Sequence, residues 1–162
     1  MTTTDAARPP LTLLSDDEIA FRDAVATFAA DEVKPRVQAM ERAGKIDPAL
    51  ISQYFEMGLM GIEVPEQYGG AAGSCTRVAI AVEEISKVDA AAAILVDVQN
   101  TLVNYPIARY GSEALKAKYL PRLTSDTIGA YALSEPSSGS EDRKSTRLNS
   151  SHVLRSRMPS SA

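Results

Sequence analysis

One cysteine, one histidine and no tryptophan stand in the 162 residues of this chain. A single thiol, Cys75, closes no intrachain disulfide, so the fold has to be held by its apolar core, in keeping with a reducing cytoplasm. Cys75 also lacks a catalytic partner. The one histidine, His152, stands in a tail of different composition, and Cys75 reads as a small residue near a helix start. No metal-ligand spacing is present. No apolar run approaches the roughly 20 residues that span a membrane. Residues 1–14 are polar, then Pro-Pro, then briefly apolar. They lack the basic start and long apolar run of a signal peptide, and they are not the Arg-rich amphipathic stretch of a mitochondrial presequence. Together these absences predict a cytoplasmic protein.

A basic face is missing too. The formal net charge is -4, with 17 Lys and Arg against 21 Asp and Glu. Residues 142–162 carry five of those basic side chains and one acidic, which leaves 12 against 20, a net charge of -8, in residues 1–141. An acidic body of this kind has no surface to grip nucleic acid or an anionic membrane. What the chain does have is apolar content, 44% of its residues, enough for one globular domain with a usable core.

Most of that content falls at helical spacing. Ser15 to Glu18 reads as a capping box, followed by Phe21, Val25 and Phe28 on one face. Pro35 removes a backbone donor, so this helix is expected to kink or restart there and to end near Gly44. Asp47-Pro48 starts a second helix with Leu50, Ile51, Tyr54 and Phe55 as its apolar face. Gly58 and Gly61 loosen the chain beyond that helix, and Pro65 with Tyr68-Gly69-Gly70 marks a loop. Ser74 caps a third helix bearing Val78, Val82 and Ile85, with Glu83 and Glu84 read as solvated charges. Asp89 caps a fourth, which opens on four alanines and carries Ile94, Leu95, Val98, Leu102 and Tyr105. Being apolar on more than one side, it is expected to be central, with Leu95, Val98 and Leu102 in the core. Pro106 is a candidate kink. Gly111 ends this helix, and Ser112 starts a short fifth one through Leu120.

The period then changes from helical to alternating. Ile128, Ala130, Ala132 and Ser134 alternate with Gly129, Tyr131 and Leu133, bounded by Asp126 and Pro136, as in a strand. A lone strand has no partner for its backbone groups, so on this pattern the chain begins a sheet it does not complete. Beyond it the run Tyr131-Ala132-Leu133-Ser134-Glu135-Pro136-Ser137-Ser138-Gly139-Ser140 sends a strand into small, hydroxyl-bearing residues. Successive backbone amides in such a turn can cradle a phosphate, although a Ser/Gly loop after a strand is more often only a turn.

That run resembles the flavin-contacting signature of the acyl-CoA dehydrogenases. The upstream text agrees in order and spacing: Gly58 to Gly70, Val82 to Asp89, Gln99 to Leu102, Tyr110 to Glu113 and Lys118 to Pro121. The resemblance covers about residues 11–141 and is nearest to the short/branched-chain group. It implies a mainly α fold: a helical N-terminal domain over residues 15–125, after a flexible 1–14, then the first strand and flavin loop of a β-domain over 126–141. It further implies FAD as cofactor, an acyl-CoA substrate, an electron-transferring flavoprotein as acceptor and a homotetramer in the intact parent. By the same resemblance Tyr131, Leu133 and Ser134 lie along the flavin ring. Gly139 and Ser140 lie near its phosphates, Ser140 also near the thioester, and Gln99 helps to line the acyl pocket. The family's glutamate base belongs to a C-terminal region; Glu83, Glu84 and Glu135 do not match its motif, and no catalytic residue is assigned.

The family pattern continues Gly-Ser-Asp, whereas this chain reads Gly139-Ser140-Glu141. Asp142 through His152 is then the translation of a common sequencing adapter in one frame, and Ser156 through Ala162 matches the far end of the same adapter. Residues 142–162 are therefore expected to be an artefactual, disordered tail, Glu141 a junction residue, and the parent a longer protein. The rival reading of the tail is a real basic, Ser-rich segment. The rival readings of the whole are a non-enzymatic helical interaction module, and a fragment of an acyl-CoA oxidase-like flavoenzyme.

Overall fold

The structure is a computed structural model that describes residues 13–132. The expected flexible start and the 142–162 tail lie outside the described residues.

The first helix, α1 (Asp16–Phe28), begins where local chemistry says it should. Ser15 N–H donates to Glu18 Oε2 at 2.9 Å, and Ser15 Oγ accepts from the Glu18 amide at 3.3 Å. This reciprocal pair satisfies two otherwise orphaned donors. Val25 is fully buried and Phe21 and Phe28 pack on the same core. Ahead of Pro35 the helix widens into a π-helical turn, Ala29–Val33, tightens to a 3-10 turn, Lys34–Arg36, and resumes as α2 (Val37–Ala43). Gly44 ends it with a left-handed φ of 62°, a conformation that costs glycine little.

Asp47 caps α3 (Pro48–Glu56), its carboxylate accepting from the Ala49 amide at 2.9 Å. Leu50 and Tyr54 from this helix are fully buried; removing the Leu50 side chain from water contributes on the order of 2–3 kcal/mol. A polar clasp holds the π turn after α1 to α3: Glu32 accepts from Arg36 and from Gln53, both at 2.7 Å. Those two hydrogen bonds, Arg36 foremost, hold the Glu32 carboxyl below the usual carboxylate range. A stretch of short 3-10 turns, Leu59–Gly61 and Glu66–Tyr68, then leads to α4 (Cys75–Ser86), capped by Ser74.

Helix α4 lies between α1 and the next helix, α5 (Ala90–Asp97), and packs on both. Val78, Ala81 and Ile85 face the core. Glu84 is buried as well, at 8% exposure, which corrects its reading as a solvated charge. It lies next to Ile85 on the inward side of the helix, and Lys87 reaches over to donate to it at 2.7 Å. Glu83 is exposed as expected.

Asp89 caps α5 through the Ala92 amide at 2.7 Å. The rod continues as a second π-helical segment, Val98–Asn104, and as α6 (Tyr105–Tyr110). Both π segments end just before a proline. Lys34 N–H donates five residues back to Ala29, ahead of Pro35, and Tyr105 N–H donates five back to Asn100, ahead of Pro106. A proline ring clashes with the carbonyl four residues earlier and offers no donor. A widened turn relieves both problems without ending the rod.

The apolar pattern predicts a central place for the rod that begins at Asp89, but that place belongs to α4. In the rod Ala92, Ala93 and Val96 are buried, while Ile94, Leu102 and Tyr105 are exposed and Leu95 and Val98 only half-buried. Its second apolar stripe has no cover among the described residues: Leu95 packs on the core from its edge, Val98 is half-buried and Leu102 is exposed, so the core assignment is partly met at Leu95 and fails at Leu102.

The last helix, α7 (Glu113–Ser125), is capped by Ser112 and runs past Leu120, straight through Pro121. Leu120, Leu123 and Thr124 are buried on either side of the proline, and their packing offsets the roughly 3 kcal/mol an interior proline costs. The predicted strand is not formed: among the described residues 127–132 have no regular secondary structure. A strand exists by pairing, and no second extended segment is present there to pair with. Leu133 and Ser134 of that run lie outside the described residues.

Candidate functional site

The second π segment sets three carboxamides, Gln99, Asn100 and Asn104, each 1% exposed, in an otherwise apolar interior. A buried polar group without a partner costs about 1–3 kcal/mol, so the partners decide what these residues do. Asn100 Nδ2 donates to the carbonyls of Leu59 at 2.7 Å and Val96 at 2.9 Å, and its Oδ1 accepts from the Ile62 amide at 2.8 Å. Asn104 Nδ2 donates to the Met60 carbonyl at 2.7 Å. These two side chains fix the turn at Leu59–Gly61, where glycines leave the backbone few helical partners of its own.

Gln99 faces the other way. Its Nε2 donates to the carbonyls of Leu123 at 2.7 Å and Thr127 at 3.1 Å, and its Oε1 accepts from the Gly129 amide at 2.9 Å. The family resemblance implies a place for Gln99 beside an acyl chain; in the structure its carboxamide is engaged with the backbone at the exit of α7. Asn100 and Asn104 had no role assigned from sequence. The signal was there: amide side chains at i, i+1 and i+5 of an apolar helix call for buried partners, and every amide atom of the three except Asn104 Oδ1 has one.

Thr127 and Gly129 lead directly to Tyr131, which is 47% exposed. It is the one flavin-contact candidate within the described residues; Leu133, Ser134, Gly139 and Ser140 lie outside them. On the same stretch Ile128 is 45% exposed, and Ile94, Leu102 and Tyr105 leave apolar surface on the rod. An open apolar groove of about 410 Å³ also lies between α6 and α7, with Tyr110, Leu115 and Tyr119 in its wall. Exposed apolar surface gathered in this way commonly marks where another protein part or a ligand packs.

The electrostatics around this region are modest. Tyr68 O–H donates to Glu113 Oε2 at 2.7 Å, tying the 3-10 turn at Glu66–Tyr68 to the start of α7. Glu113 is held below the usual carboxylate range, first by Lys116 and then by Tyr68. Burial pushes the Glu63 carboxyl up. Among the described residues no cluster of three His, Cys, Asp or Glu side chains forms a metal site, and no helix is long and apolar enough to cross a membrane.

By its fold the described chain is an all-helical domain that leaves apolar side chains of the rod and of α7 exposed. The family model for the N-terminal domain of acyl-CoA dehydrogenases matches residues 15–127, and the chain belongs to the acyl-CoA dehydrogenase family. It is 44% identical over 132 residues to a probable short/branched chain specific acyl-CoA dehydrogenase of Dictyostelium discoideum, covering 82% of this chain and 32% of that protein. Solved structures share the fold, two of them as follows. A chain in the structure of the electron transferring flavoprotein of Acidaminococcus fermentans is 35% identical with a TM-score of 0.76, over 82% of this chain and 35% of that one. A glutaryl-CoA dehydrogenase from Mycobacterium smegmatis, solved in complex with FADH2, is 30% identical with a TM-score of 0.76, over 83% of this chain and 35% of that one. The chain thus spans about a third of the length of the relatives it matches.

Proposed function

We propose that this chain is the N-terminal helical part of an FAD-dependent acyl-CoA dehydrogenase acting on a short or branched acyl-CoA, and that it has no dehydrogenase activity by itself. The observation that carries the reading is the adjacency of two independent features. A family match over residues 15–127 is followed within a few residues by the flavin-signature text of residues 131–140. The uncovered apolar faces support it, since a part built to be covered by the rest of a larger protein leaves such faces bare.

The exposure of Tyr131 fits a residue that meets a ligand. In the intact parent FAD supplies the hydride acceptor for α,β-dehydrogenation. What this chain supplies is position. Tyr131, Leu133 and Ser134 would lie along the flavin ring, and Gly139 and Ser140 near its phosphates, with Ser140 also near the thioester. The rod around Gln99 would stand beside the acyl group. The α-proton goes to a glutamate that the family resemblance places in a C-terminal region, and no residue of this chain takes that role. The homotetramer and an electron-transferring flavoprotein as acceptor belong to the same proposal. So does a cytoplasmic location.

Two measurements test this. Sequence read through codon 141 of the source locus is expected to continue as Gly-Ser-Asp into a β-domain and a C-terminal bundle; a stop after codon 162 overturns the proposed parent. The purified 162-residue chain, given FAD and a short branched acyl-CoA, is expected to retain no stoichiometric flavin and to reduce no artificial electron acceptor. A yellow protein that turns over substrate overturns the proposed inactivity.

A further inference from the structure

Gln99 is the only link among the three buried carboxamides between the rod and the segment that follows α7. Its contacts are spaced two residues apart on that segment: the Thr127 carbonyl at 3.1 Å and the Gly129 amide at 2.9 Å. An interval of two is the repeat of an extended chain, so both groups point to the same side. A second contact pins the same place. A Cβ added at Gly129 would overlap the Val103 side chain of the rod, so the backbone is drawn in as far as a glycine allows. The Leu123 carbonyl, at 2.7 Å from Nε2, ties the last turn of α7 to the same carboxamide. One side chain therefore holds the end of the helix, the residue just beyond its C-cap and the glycine two residues before Tyr131.

We propose that Gln99 is a positioning residue, a buried carboxamide that sets the register and direction in which residues 127–131 leave α7 for the 131–140 motif. The proposal rests on the reading of that motif as flavin-contacting. A slip of one residue in this segment would turn its alternate side chains to the opposite face. Fixing Thr127 and Gly129 fixes which face Tyr131 presents. Gln99 touches neither flavin nor substrate in this role; it acts through the backbone that carries the contacting residues.

The test is amide hydrogen exchange on the 162-residue chain, comparing the Gly129 amide, held by Gln99, with the Ile62 amide, held by Asn100. In Gln99→Leu, Gly129 protection is expected to fall by about tenfold or more with Ile62 unchanged, as a local opening would produce. Gln99→Glu, examined at a pH low enough to protonate it, keeps the volume, an acceptor for Gly129 and one donor for the Leu123 or Thr127 carbonyl. It is expected to restore part of the Gly129 protection. Unchanged Gly129 protection in Gln99→Leu overturns the proposal. So does loss of protection at both amides together in both variants, because Gln99 would then be core and not a clamp. Exchange at Gly129 is read without flavin, so the two ideas fail separately. A full-length parent that binds no flavin while Gly129 stays protected would overturn the flavin reading alone.

Discussion

Around Leu50 and Tyr54 the chain is closed by apolar contact. Val25, Ala29, Val33, Leu59 and Ile85 complete a cluster in which almost every side chain is fully buried, and shape and volume decide what fits. Around Asn100 it is closed by hydrogen bonds of fixed direction. Side-chain amides of the π segment take the place of backbone partners for Leu59, Met60, Ile62, Leu123, Thr127 and Gly129. The difference comes from what each region has to hold. Helices present continuous apolar faces and satisfy their own backbone. Turns and chain exits do not, and once buried they need polar partners supplied from elsewhere.

The sharpest way to break that contrast is to remove the directed bonds while keeping the volume. Asn100→Leu strands the Ile62 amide and the Leu59 carbonyl in the interior, and is expected to cost about 4 kcal/mol in urea unfolding. Leu50→Ala opens a cavity in the apolar region and is expected to cost about 3 kcal/mol. If the leucine at position 100 proved neutral, the amide region would be held by packing after all. The two regions would then be one core with incidental polar decoration.

The two regions were also unequally legible in the sequence. Capping is a local matter between a side chain and an amide two or three residues on, so Ser15, Asp47, Ser74, Asp89 and Ser112 could be read directly, and all five cap their helices. The apolar stripe on Val25, Leu50 and Tyr54 follows from the helical period. The π segments could not be read that way. A proline signals a break, and only tertiary packing decides whether the helix ends there or carries on; the helices at Pro35, Pro106 and Pro121 each continue past the proline. Glu84 looked solvated because charge outweighs position in a composition-based reading, while the structure buries it beneath Lys87. The alternating run from Ile128 was legible as a pattern, but a pattern does not supply the partner strand. Of the site, Tyr131 and Gln99 were singled out by family resemblance. The hydrogen bond that ties Gln99 to the Gly129 amide joins residues about thirty positions apart and leaves no local trace.

A smaller effect sharpens the boundary between the regions. Asp89 stands between α4 of the apolar region and the rod that carries the amides, and its carboxylate accepts from the Ala92 amide at 2.7 Å. Asp89→Ala is expected to cost about 1 kcal/mol, as for other lost N-caps. Because the cap acts only on the first turn of α5, exchange at Ala92 should accelerate by more than exchange at Gly129. Equal acceleration at the two would mean that the rod unfolds as one piece from its first turn to its clamp.

The smallest expected effect concerns pH, and it separates side-chain charge from the buried amides, which do not titrate. Glu113 is 77% exposed and its carboxyl is held below the usual range, first by the hydrogen bond from Lys116 and then by that from Tyr68. A carboxyl lowered in the folded state adds stability that is present above its unfolded pKa and is lost as pH falls through the folded one. On acidification the Tyr68–Glu113 tie should therefore open below the ordinary carboxylate range, while the bond from Gln99 to Gly129 persists at the same pH. Following the Glu113 carboxyl by NMR through the titration checks the cause as well as the sign. Lys116→Met should raise its midpoint more than Tyr68→Phe does, since the ammonium contributes both the leading hydrogen bond and a charge. Water competes for an exposed carboxylate, so neither change should move the unfolding midpoint at neutral pH appreciably. A large loss of stability in Tyr68→Phe would show that the turn at Glu66–Tyr68 is held to α7 chiefly by this one bond, and not by the buried Thr124, whose Oγ1 lies 3.1 Å from the Tyr68 carbonyl.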